Sequence, residues 1–207
     1  MSFESLIFDI DGTLWDSRAL VAEGYNIQLR KEGLSHLCVT AEDLKSLFGK
    51  TMTDIADIML ATIPVPRRYE LLERCMAQEQ NILHNDPCRI GYPKVKETLQ
   101  KLAEKHRLFI VSNSQSGYPQ LCIEKMGLQG LIQDHLCFGD TGTPKGETIR
   151  RLMRRNNIEN AAYVGDTQGD LDASENAGIP FIFAAYGFGN PDHYYAKIEA
   201  FEDLLEL

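Results

Sequence analysis

Apolar and polar positions alternate along this chain in three successive rhythms. The first is a compact run, Leu6, Ile7, Phe8 and Ile10, dense enough for a buried strand, yet broken by Asp9 and stopped by Asp11, Gly12 and Thr13. Strands deplete Asp, and a buried carboxylate is costly unless something compensates it. From 16 to 84 the spacing turns helical, through "DSRALVAEGYNIQLRKEG", "TAEDLKSLF", "TMTDIADIMLAT" and "PRRYELLERCMAQEQNIL", with no convincing strand. Thr40 and Asp43 have the spacing of a capping box ahead of Leu44, Leu47 and Phe48, and Pro64 with Pro66 closes one helix and opens the next.

From about residue 90 strands and helices alternate. Val95, Leu99 and Leu102 form a helical stripe after Pro93. "RLFIVSN" reads as a buried strand, "YPQLCIEKMGL" as a helix and "HLCFGD" as a short strand. A helix at "PKGETIRRLMRRNN", a strand at "AAYVGD", a helix at "QGDLDASENAG", a strand at "PFIFAAY" and a last helix at "IEAFEDLLEL" complete the pattern. Such alternation predicts an α/β fold, a mostly parallel sheet covered by helices on both faces. The simplest topology makes 1–15 and 85–207 one core and inserts 16–84 as a helical lid.

Composition narrows the class. At 207 residues, 43% hydrophobic and 25% charged, the chain can bury a sizeable core, and it has no apolar run near the roughly 20 residues of a membrane helix. The start, "MSFESLIFDID", has no positive n-region or small-residue cleavage site, so a cytoplasmic location and no membrane partner are expected. A formal charge of -9 disfavours nonspecific attraction to nucleic acid. The one basic cluster, "RRLMRR", puts Ile149, Leu152 and Met153 on one helical face and its arginines on the other, which reads as a solvated surface. Five scattered cysteines, never spaced C-x-x-C, argue against a disulfide framework or a zinc site.

Candidate chemistry sits at the carboxyl ends of the strands, where ligands bind in open α/β sheets. The first strand ends at Asp9 and Asp11, the second at Ser112 and Asn113, and a later one at Asp166; Lys145 opens a helix and Asp170 follows four positions after Asp166. Three or four carboxylates in one crevice would repel, and a hard divalent cation such as Mg²⁺ resolves the conflict. With that charge offset, a phosphate dianion can approach and one carboxylate can attack phosphorus. Lys145, the Ser112 hydroxyl and backbone N–H groups near Gly12 and Asn113 could hold the phosphoryl oxygens. Asp11, on the same side of an extended strand as Asp9, could protonate the leaving alcohol and later take a proton from water.

These residues resemble the haloacid dehalogenase superfamily, phosphatase branch, over essentially the whole chain. "DIDGT" (9–13) matches its D-x-D-G-T motif, "FIVSN" (109–113) its apolar strand ending in Ser or Thr, Lys145 in "TPKGE" its lysine, and "VGDTQGD" (164–170) its G-D-x-x-x-D motif. The resemblance implies a Rossmann-like core sheet of order 5-4-1-2-3, with 16–84 as the mobile helical cap. It implies Asp9 as nucleophile and metal ligand, Asp11 as general acid/base and metal ligand through its backbone carbonyl, and Asp166 as the third protein ligand to Mg²⁺. Ser112, Asn113 and Lys145 would bind the phosphoryl group, and Asp170 would orient Lys145 or a metal-bound water. Members that cleave carbon–halogen bonds have an aromatic residue at the second aspartate, and those that cleave phosphonates have Ala; Asp11 favours phosphate esters.

The expected activity is Mg²⁺-dependent hydrolysis of a small phosphorylated metabolite, in the manner of phosphoglycolate phosphatases, by a monomer or small homo-oligomer. A phosphosugar mutase similar to beta-phosphoglucomutase and a phospho-aspartate switch module remain alternatives. Lys50, in the turn "FGKT", is a candidate contact to the substrate's leaving group. Trp15 reads as packing, Asp172 as a solvated helix residue, and the five histidines lie outside the motifs.

Overall fold

The computed structural model describes residues 3–207. Its first strand, β1 (Ser5–Phe8), is followed by four helices, α1 (Arg18–Lys31), α2 (Ala41–Lys45), α3 (Met52–Met59) and α4 (Val65–Asn85). The chain then alternates through α5 (Val95–Leu102), β2 (Arg107–Ser112), α6 (Tyr118–Met126), β3 (Ile132–Cys137), α7 (Phe138–Thr141), α8 (Lys145–Asn156), β4 (Ala161–Gly165), α9 (Gln168–Ala177), β5 (Phe181–Ala184) and β6 (Ala196–Ile198). It divides into two compact units, Met1–Asp16 with Ile90–Leu207, and Ser17–Arg89.

The first unit is a parallel six-stranded sheet of order β3-β2-β1-β4-β5-β6. The expected five-strand order is contained in it, and β6 is an addition at the edge. Alternate residues of β1 face opposite sides. Ile7 joins Phe109, Tyr163 and Phe181 in a core completed by Ile149 and Leu152 of α8 and Leu171 of α9. Phe8 faces the other side, its ring 5.7 Å from that of Phe201. At "RRLMRR" the buried residues are Ile149 and Leu152, while Arg150 and Arg154 pair with Glu147 at 2.9 and 2.8 Å.

Two expected elements differ. "IEAFEDLLEL" is not an α-helix: Ala196–Ile198 pairs with β5, and Phe201–Glu206 forms 3₁₀ turns. Unpaired backbone at the edge of β5 takes up Ala196–Ile198. Asp203 then accepts from the backbone N–H of Glu199 and Ala200, both at 2.9 Å, so the turns begin only after that strand. Phe201 and Leu204, three apart, are buried with the period of a 3₁₀ helix. "HLCFGD" is likewise split. β3 starts at Ile132, and Phe138–Thr141 turns helical because the Asp140 carboxylate caps Cys137 N–H at 3.1 Å.

The second unit is helical. Thr40 and Asp43 form the capping box that their spacing predicts, and Pro64 is the N-cap of α4. Its core gathers Val21, Tyr25 and Leu29 of α1 with Leu71, Leu72 and Cys75 of α4. Gly24 lets the two backbones meet, because a Cβ there would lie 2.7 Å from Glu79 Cα. The cysteines are all free thiols. Among the described residues no helix is long and apolar enough to cross a membrane.

Candidate active site

The register of the central strands sets the site. Phe8 is level with Ile110 on β2 and Val164 on β4, and Asp9 N–H still donates to Val164 carbonyl oxygen at 2.9 Å. Side chains just beyond these partners therefore gather at one edge of the sheet: Asp9 after β1, Ser112 and Asn113 at the end of β2, and Asp166 after β4.

Lys145, the first residue of α8, is 5% exposed. Its ammonium donates to Asp9 Oδ1 at 2.9 Å and to Asp170 Oδ1 at 2.6 Å. A lysine in the first turn opposes the helix dipole, and these two carboxylates offset that penalty. Asp170 Oδ2 accepts from the Thr167 hydroxyl at 2.7 Å and from the N–H of Thr167 and Asp166 at 3.0 and 3.2 Å. It thus caps α9 with one oxygen and holds Lys145 with the other. Gly165 makes room for it, since a Cβ there would lie 2.7 Å from Asp170 Cβ.

Asp166 is fully buried. Its Oδ2 accepts from Phe188 N–H at 2.6 Å, whereas Oδ1 has no hydrogen-bond partner. Gly12, at φ +84°, passes so close that a Cβ would lie 2.2 Å from Asp166 Oδ2. One oxygen from each of Asp9, Asp166 and Asp170 lies within 4.8 Å of the others.

Three carboxylates face one ammonium, and their proton affinities separate accordingly. Burial pushes Asp9 up to about 7 against the pull of Lys145, with Asp170 adding repulsion. Burial and the charges of Asp170 and Asp9 raise Asp166 well above the usual carboxylate range. Burial acts on Asp170 too, but Lys145 and the Thr167 hydrogen bonds overcome it and hold it low. Lys145 is raised by Asp170 and Asp9 although burial alone would lower it. The surplus negative charge, the all-oxygen donor set and the partnerless Asp166 Oδ1 fit a hard divalent cation.

Asp11 stands apart from this cluster. Its Oδ1 accepts from Trp15 Nε1–H and from the Tyr118 hydroxyl, each at 2.9 Å. Ser112 is buried, and its Oγ accepts from Ser114 N–H at 3.3 Å; Asn113 is half-buried beside it. Lys50 is exposed in the helical unit, on the turn before α3. Asp172 is exposed and accepts from Gln168 at 2.8 Å. Reading the sequence missed three contributors: Tyr118, the Phe188 N–H and the polar contact of Trp15. Only Trp15, four residues after Asp11, carried a local signal, whereas Tyr118 reaches Asp11 across 107 positions.

Residues 6–184 match the haloacid dehalogenase-like hydrolase family, and the chain belongs to it. Phosphatases are among its curated relatives. Phosphoglycolate phosphatase of Rhodobacter capsulatus is 29% identical over 192 residues, 89% of this chain and 85% of that protein. Pyrophosphatase PpaX of Listeria monocytogenes serotype 4a is 24% identical over 213 residues, 98% of this chain and 95% of that one. The fold is shared with a haloacid dehalogenase-like family hydrolase from Streptococcus pneumoniae, at TM-score 0.82 and 16% identity, covering 99% of this chain and 97% of that one.

Proposed function

We propose that this chain is a Mg²⁺-dependent phosphatase that hydrolyses the phosphate monoester of a small soluble metabolite through an aspartyl-phosphate on Asp9. The observation that carries the reading is the buried cluster of Asp9, Asp166 and Asp170 around the Lys145 ammonium, with its surplus negative charge and the partnerless Asp166 Oδ1. Asp9 and Asp166, with the backbone carbonyl of Asp11, would hold the ion. Bound Mg²⁺ would offset the carboxylate charge that otherwise repels a phosphate dianion.

The remaining work falls to the chain's own groups. An Asp9 oxygen attacks phosphorus. Lys145, Ser112 and the N–H groups near Asn113 bind the phosphoryl oxygens as charge spreads over them. Asp170 keeps Lys145 in place through a 2.6 Å bond that does not involve Asp9. Asp11 gives a proton to the leaving alcohol and takes one from the water that releases the phosphate. The helical unit Ser17–Arg89 is assigned the part of a cap that selects the substrate, with Lys50 its candidate contact. A cytoplasmic monomer or small homo-oligomer fits this role.

The test is release of inorganic phosphate, with Mg²⁺, from a panel holding para-nitrophenyl phosphate, alkyl phosphates including phosphoglycolate, and pyrophosphate. Pyrophosphate belongs there because the Listeria relatives, named for it, align over 98% of this chain. Turnover that requires Mg²⁺ and disappears in Asp9→Asn supports the proposal; no release from any compound sinks it. Transfer to a sugar instead of water would indicate a mutase, and a stable phospho-aspartate without turnover a switch.

A further inference from the structure

Asp11 is gripped on one edge. Two donors, Trp15 Nε1–H and the Tyr118 hydroxyl, converge on its Oδ1 at 2.9 Å each. Both rings are buried, and they meet edge to face with centroids 5.6 Å apart and planes at 80°. Backbone fixes each of them. Trp15 carbonyl oxygen accepts from Gly12 N–H at 2.9 Å and Trp15 bridges Gly91, while Tyr118 is the first residue of α6. A carboxylate oxygen presents two in-plane lone pairs, so two donors at this length use both. A buried indole N–H or phenol O–H without an acceptor is costly, so the rings and the carboxyl hold one another.

We propose that Trp15 and Tyr118 are positioning residues for Asp11: they clamp Oδ1 and hold its carboxyl outside the Asp9–Asp166–Asp170 group, in the orientation from which it serves the leaving alcohol. The inference rests on the phosphatase reading above. In the first step the bond from an Asp9 oxygen to phosphorus forms as the ester P–O bond breaks, and the proton on the Asp11 carboxyl passes to the departing alkoxide. In the second step water attacks phosphorus, its proton returns to the Asp11 carboxyl, and the Asp9–phosphorus bond breaks to free phosphate. Nothing is oxidised or reduced, and water is the one co-reactant.

Leaving groups separate this role from a merely structural one. An alkoxide needs the proton to depart, whereas a nitrophenolate departs without it. kcat/KM is therefore compared for the best alkyl ester of the panel and for para-nitrophenyl phosphate, both with Mg²⁺, in wild type, Tyr118→Phe, Trp15→Phe and Asp11→Asn. Tyr118→Phe keeps the ring and removes only the hydroxyl, so the fold has little reason to change. The expected result is a loss on the alkyl ester about tenfold greater than on the aryl ester, in the same direction for Trp15→Phe and largest for Asp11→Asn. An unchanged alkyl-to-aryl ratio in both ring variants, with Asp11→Asn still shifting it, overturns the clamp and leaves the phosphatase reading standing. If wild type hydrolyses neither ester, that reading fails and the clamp with it.

Discussion

Lys145 matters as a counter-charge before it matters as a ligand. Among the described residues its ammonium is the one cation paired with the clustered carboxylates, bonding Asp9 and Asp170 but not Asp166. Lys145→Ala leaves those acids buried without it, and breaking a buried ion pair from one side typically costs about 3–5 kcal/mol. Urea denaturation without Mg²⁺ should show a loss of that order, and Mg²⁺ should recover part of it. Asp9→Asn acts the other way, because it removes a repelling neighbour of Asp170 while Lys145 keeps its 2.6 Å partner. Its melting temperature should match or exceed wild type although turnover is lost. Gly12→Ala strains the chain twice, through φ +84° and through a Cβ 2.2 Å from Asp166 Oδ2. Titration calorimetry should find Mg²⁺ binding abolished, and denaturation a loss of at least ~1–3 kcal/mol.

Helices and strands obey a different logic, in which backbone approach decides. Gly24 of α1 lies against the α4 backbone, where a Cβ would come within 2.7 Å of Glu79 Cα and 2.9 Å of its N. Backbone atoms inside a helix cannot step aside, so Gly24→Ala should force α1 and α4 apart. The expected destabilisation is about 1–3 kcal/mol, read as a lower melting temperature by far-UV circular dichroism. The same principle explains which elements periodicity reveals. α8 is legible because Ile149, Leu152 and Met153 recur at helical spacing, and β2 because Leu108, Phe109, Ile110 and Val111 form one continuous buried apolar run. The stretch after 195 is not, because Ile198, Phe201 and Leu204 suit an α-helix on paper. An open edge of β5 and the Asp203 carboxylate redirect that segment; the carboxylate acts within four residues, but the strand edge lies beyond any local pattern.

For the molecule as a whole, the site sets a pH dependence whose sign follows from proton counts. Asp9 ordinarily ionises near 3.8 and is pushed up to about 7, so between these values the folded protein holds more protons than the unfolded chain. Stability of the metal-free protein therefore falls as pH rises through that window, and Asp166, also raised, adds to the fall. Asp170, held low, works oppositely: its contribution is present above 3.8 and is lost as acid reaches its depressed value. Mg²⁺ competes with those protons. Its addition should raise the melting temperature more at about pH 8 than at about pH 5. An equal rise at both would mean that Asp9 and Asp166 are ionised throughout.

The sequence by itself determined the alternation of strands and helices, the helical insertion after β1 and the family, because these depend on periodicity and on short motifs within a few residues of one another. The motifs already brought Asp9, Lys145 and Asp170 to one site, with Asp170 expected to orient Lys145; only the tertiary structure decided that Lys145 bonds Asp9 directly across 136 positions, that Phe188 occupies one oxygen of Asp166, and that Tyr118 joins Trp15 on Asp11. The physical reason is range. Hydrophobic spacing reports which side of an element faces the core, whereas contacts between strand ends and loops depend on register and on glycines that allow close approach, and neither leaves a mark on the residues that will meet.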